Sequence, residues 1–138
     1  MTSEQDATTV EAIFSIIGRD FDPARVSGIL GVDHTSIWRP RHARLASRTD
    51  LANIAWEYSH GPEPHTNLEA PLRPILDLFF PISDKIHQAL SEVHARASIA
   101  CIIVIRSVPP AYILAPHSMQ QMAAMGAEFS LDILDRRD

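Results

Sequence analysis

The sequence predicts an α+β domain: a mainly antiparallel sheet with helices packed on one face. Three observations carry that prediction. Short β-branched segments alternate with segments of helical spacing, the helical ones carry caps or breakers at their ends, and the order reads β-α-β-β-α-β-α-β without repeats. The first six elements follow the ferredoxin-like order, so a core of that kind is compatible with the pattern. No linker is long enough to separate a second domain. Residues 1–8 read as a disordered polar leader and residues 9–138 as one domain, which suits a chain of 138 residues with 46% hydrophobic content.

The elements are justified in order. Thr9–Ile17 (TVEAIFSII) places Val10, Ala12, Phe14 and Ile16 on one face and Ile13 and Ile17 on the other, which predicts a central strand ended by Gly18. Asp22 is an N-cap, Pro23 suits the first helical turn, and Val26, Ile29 and Leu30 keep helical spacing up to Gly31. Asp33–Pro40 allows a short extended segment, and Pro40 to Asp50 reads as an Arg-rich surface loop. Ile54–His60 alternates Ile54, Trp56 and Tyr58 against a wet face of Ala55, Glu57 and Ser59. Gly61-Pro62-Glu63-Pro64 reads as a turn.

Asn67 is placed to cap a helix running to about Phe80, with Pro74 as a bend or a delayed start. Pro81 breaks the run and Ser83 opens a further helical stretch to about Ala95, leaving open one kinked helix or two. Ser98–Arg106 (SIACIIVIR) is continuously apolar and predicts a strand buried on both faces. Ala111–Leu114 suits edge pairing, Pro116 opens a helix through about Met125, and Gly126 is its C-terminal cap. The final strand, Ala127–Leu134, turns Ala127, Phe129, Leu131 and Ile133 inward.

Composition excludes several classes. One cysteine, Cys101, rules out an intrachain disulfide and any Cys-built zinc or CxxC site, and points to a reducing cytoplasm. The acidic N-terminal stretch is no secretory signal, and no apolar run reaches the ~20 residues of a membrane helix. The formal charge is −5. Its distribution is uneven, because residues 39–48 carry Arg39, Arg41, Arg44 and Arg48 with no acid while the flanking segments are acidic. Such a surface repels nucleic acid and favours a basic partner.

Several short signatures recur together: Asp22-Pro23 entering a helix that ends Ile29-Leu30-Gly31-Val32, Thr35 soon after, an Arg-bearing loop, a strand with Trp56, and the closing segment Met122–Leu134 (MAAMGAEFSLDIL). Over nearly the whole chain these resemble a bacterial family catalogued as domain of unknown function 4279. The loop after Thr35 departs from the family pattern, with Trp38-Arg39-Pro40 replacing a Lys-Gly-Asp-like turn. The resemblance brings no established chemistry. Some members resemble genes beside bacterial toxins, which implies an immunity role.

No catalytic constellation stands out. Seven histidines lack ligand spacing, so no metal or cofactor is expected. Cys101 lies in an apolar strand, where a thiol is inert. The Met119, Met122 and Met125 stripe reads as helix packing. The expectation is therefore a non-enzymatic, cytoplasmic binding module that neutralises a cognate protein toxin through an acidic surface, with Asp50, Glu57, Glu63 and Glu69 as contacts and Trp38, if exposed, as an interface anchor. The alternative is a small anion-binding or ligand-binding domain, or an enzyme, that uses Arg39, Arg41, Arg44 and Arg48 as guanidinium clamps.

Overall fold

The computed structural model describes residues 6–39 and 52–137. Five strands, β1 (Thr9–Gly18), β2 (Ser36–Trp38), β3 (Ile54–Pro64), β4 (Arg96–Ile105) and β5 (Ala127–Asp135), form one open sheet in the order β2-β3-β1-β4-β5. All neighbours are antiparallel except β4 and β5, which run parallel. The parallel pair requires a crossover, and α4 (Pro116–Ala124) supplies it.

The first helix, α1 (Pro23–Leu30), follows its local chemistry. The Asp22 carboxylate accepts from the Ala24 N–H at 3.0 Å, and Gly31 takes the left-handed conformation (φ 71°) that closes the helix. The Asn67 side chain accepts from the Ala70 N–H at 2.9 Å and starts α2 (Glu69–Phe79), which carries Pro74 within it. A 3-10 turn, Phe80–Ile82, separates α2 from α3 (Ser83–Val93), so the 67–95 region holds two helices rather than one.

The four helices among the described residues pack on the same sheet face. Val10, Ala12, Phe14 and Ile16 of β1 meet Trp56 of β3, Ile99, Cys101 and Ile103 of β4, and Leu72, Ile75, Leu76, Phe79 and Ile86 of the helices in one buried cluster. Its centre is aromatic: Phe14 stacks on Phe79 with ring centroids 4.3 Å apart, and Tyr58 and Trp56 meet Phe79 edge-on at 5.3 and 6.2 Å. The Trp56 Nε1–H donates to Ser27 Oγ at 2.9 Å, which ties β3 to α1.

Four local expectations are corrected. Gly61-Pro62-Glu63-Pro64 belongs to β3 and not to a turn. The ladder to β1 shifts register between Val10 and Ala12, and such a bulge accommodates prolines that donate no N–H. Ala55 and Glu57 do not face water; both are buried, on the side of the sheet opposite the helices. The apolar β4 is not buried on both faces, since Ala100, Ile102 and Val104 are only half-buried. Leu131 and Ile133 do lie on the helix side, in register with Cys101 and Ile103, yet they are 38% and 48% exposed because β5 is the sheet edge.

Phe79→Ala should lower the unfolding free energy by about 3–5 kcal/mol in urea titrations, the usual cost of deleting a buried aromatic ring. A loss below about 1 kcal/mol would deny the stack its central place. Gly61→Ala should also destabilise, by more than about 1 kcal/mol, because φ is +100° and the added Cβ would lie 2.9 Å from the Val10 carbonyl oxygen.

Candidate functional site

The face opposite the helices is built by strands alone among the described residues, and strand register decides what it displays. Ser36 pairs with Glu57, Glu57 with Ser15, Ser15 with Ser98, and Ser98 with Glu128. One polar row thus crosses all five strands. Side chains alternate between faces along a strand, so the whole row points away from the helices.

Ser15, Glu57 and Ser98 in this row are buried. The Glu57 carboxylate accepts from Ser36 Oγ at 3.2 Å and, at the long limit of 3.5 Å, from Ser15 Oγ. At the β5 end, Arg96 Nε approaches Glu128 Oε1 at 3.9 Å. To one side of the row, Ile17, Trp38 and Ala55 form a small second apolar cluster. To the other side, Ala100, Ile102, Val104 and Leu134 make an apolar strip accompanied by Glu11 and Asp132. The Ser130 hydroxyl on this strip is buried and has no hydrogen-bond partner among the described residues.

The residues singled out from sequence disperse in space. Trp38 is 2% exposed within the second apolar cluster, so it is a core residue and not an interface anchor. Glu57 is 6% exposed and its carboxylate is engaged by serine hydroxyls, which removes it from the set of surface contacts. Glu69 lies at the start of α2, where its carboxylate accepts from the Ala115 N–H and from Ser118 Oγ at the opening of α4. It therefore works as a cap for α4. Glu63 is exposed near the end of β3, with its Oε2 3.7 Å from both His60 Nε2 and His65 Nε2. These acids do not make one patch. Arg39 is exposed, while Arg41, Arg44, Arg48 and Asp50 lie outside the described residues.

Sequence reasoning missed the row, although its signal was present. Ser15 and Ser98 are polar interruptions of otherwise apolar strands, and a polar residue in a buried strand needs a partner. A cleft of about 460 Å³ opens at one end of the sheet between Ile17, Gly18, Ala52 and Ala95, flanked by Arg19, His94 and Arg96. Its guanidiniums already face carboxylates, Arg19 with Asp20 at 3.6 Å and Arg96 with Glu128. Cys101 is fully buried, and burial pushes its thiol up to about 12. At the C-terminal end of β5, hydrogen bonds from the Arg137 guanidinium and backbone N–H hold the Asp135 carboxyl down at about 2.

The fold and the row together define an α+β domain whose described residues leave a charged, strand-built surface opposite the helices. The family described as Domain of unknown function (DUF4279) matches residues 7–136, and the chain belongs to that family. No curated protein and no solved structure matches it.

Native protein at pH 8 should leave a thiol-specific disulfide reagent unreacted and consume one equivalent once denatured. The unfolded thiol ionises near pH 9 and the folded one only near 12. The folded state therefore holds the proton longer, and this group's contribution to stability is lost as pH rises from 9 toward 12. Rapid modification of the native thiol would place Cys101 outside the core.

Proposed function

We propose that this domain is a non-catalytic, immunity-type binding module that occludes a cognate basic toxin with the strand-built face of its sheet. The observation that carries this reading is the charge of that face. Glu11, Glu57, Glu128 and Asp132 share it with Arg96. Three of these acids, Glu11, Glu128 and Asp132, surround the strip of Ala100, Ile102, Val104 and Leu134. An apolar centre with a charged rim is the usual anatomy of a protein interface.

Binding is favoured over catalysis because the groups with chemistry are committed elsewhere. Glu57 holds Ser36 and Ser15, Glu69 caps α4, and the Cys101 thiol stays protonated. A basic partner fits because complementary charge accelerates encounter and rejects acidic competitors. The contacts proposed from this face are Glu11, Glu128 and Asp132; Glu63 remains an exposed acid near the end of β3.

The test is co-expression with the C-terminal domain of a toxin encoded beside this gene. The chain should restore growth and co-purify with the toxin domain. Glu128→Lys combined with Asp132→Lys should slow association by about 10-fold or more at low salt, with a smaller effect at high salt. A metabolic gene neighbourhood, or a toxin domain that binds both forms equally well, would overturn the reading.

A further inference from the structure

We propose that two copies of this chain pair through β5 to form one continuous ten-stranded sheet. The sheet has two edges of unequal character. β2 ends one side with three residues, whereas β5 ends the other with nine. A long edge strand presents unpaired N–H and C=O groups and templates further pairing unless it is blunted.

Only the carboxylates of Glu128, Asp132 and Asp135 blunt it. The strand contains no proline and no lysine, it has no bulge against β4, and Leu131, Ile133 and Leu134 are 38%, 48% and 44% exposed. Backbone direction follows from one bond. The Arg136 N–H donates to the Ile105 carbonyl of β4 at 2.7 Å. Backbone groups alternate direction along a strand, so those of Phe129, Leu131 and Ile133 point outward.

The side chains select the second copy as occupant and select the register. With a two-fold axis at Leu131, that residue faces its own copy, Phe129 faces Ile133, Ser130 faces Asp132 and Glu128 faces Leu134. Apolar residues then meet on the helix side, and no two carboxylates are directly opposite. Moving the axis to Ser130 sets Glu128 against Asp132, and moving it to Asp132 sets that carboxylate against itself. Like charges directly opposite destabilise a pair, so the strand is self-complementary in one register of these three. The proposal is argued from the backbone edge of β5 and not from toxin binding, although Glu128, Asp132 and Leu134 of the strand-built face lie along the same seam.

Sedimentation at about 100 µM chain, where a micromolar Kd leaves the dimer dominant, should give twice the 15.3 kDa chain mass. Added salt should strengthen association, since each copy carries a formal charge of −5 and screening weakens their repulsion. Leu131→Lys should sediment as a monomer with an unchanged circular dichroism spectrum. In the wild type, the Phe129, Leu131 and Ile133 amides should exchange slowly at high concentration and quickly on dilution, a readout that needs no variant. A wild-type monomer at that concentration would overturn the proposal, as would a dimer whose three amides exchange freely.

Discussion

The contact on which the rest depends is the stacking of Phe79 on Phe14. It seats α2 over the central strand of the sheet, and Trp56 and Tyr58 close around the same ring from the neighbouring strand. With α2 fixed there, the 3-10 turn at Phe80–Ile82 delivers α3 onto the same side. His87 of α3 then contacts the Ala124 carbonyl through Nε2 at 2.8 Å and secures the end of α4. Every described helix is thereby committed to one face.

That commitment creates the second face. Strands that would be covered on both sides in a doubly wound fold display their alternate residues here with no helix over them among the described residues. A buried carboxylate on such a face is costly unless its oxygens are satisfied, and the Ser36 and Ser15 hydroxyls supply part of that satisfaction to Glu57. Burial and exposure therefore separate two kinds of acid on one surface. Glu57 is buried between strands, whereas the exposed Glu128, paired with Arg96, and the half-buried Asp132 border the strip near the sheet edge.

Legibility in the sequence tracked the range of the interaction. Asp22-Pro23 and Gly31 bound α1 through contacts within one turn, and the helix stands where those residues place it. Alternation in the last strand identified which residues share a face, but exposure of Leu131 and Ile133 depends on how far the helix layer extends, which no local pattern encodes. The Gly61–Pro64 stretch was misread for a related reason. Its residues suggest a turn locally, whereas the register shift that accommodates them belongs to the pairing with Val10 and Ala12. Trp38 carries no local sign of its cover; among the described residues it is buried with Ile17 and Ala55, the latter its partner in the ladder. Of the candidate surface, Glu57 stands out in the sequence as an exposed contact, whereas cross-strand pairing buries it, and Ser15 and Ser98 within apolar strands give no local sign of the partners in their row.

The central position of β1 bears on how the chain is made. Thr9 pairs with Val104 and Ile17 with Arg96, so the earliest strand is flanked on one side by residues synthesised much later. Until β4 leaves the ribosome, β1 has only β3 as a sheet neighbour, and one of its long edges stays open. Pairing across such a separation closes a large loop before it yields stabilising contacts. The sheet is consequently completed only after β4 and β5 have emerged, and until then β1 keeps one apolar edge unpaired.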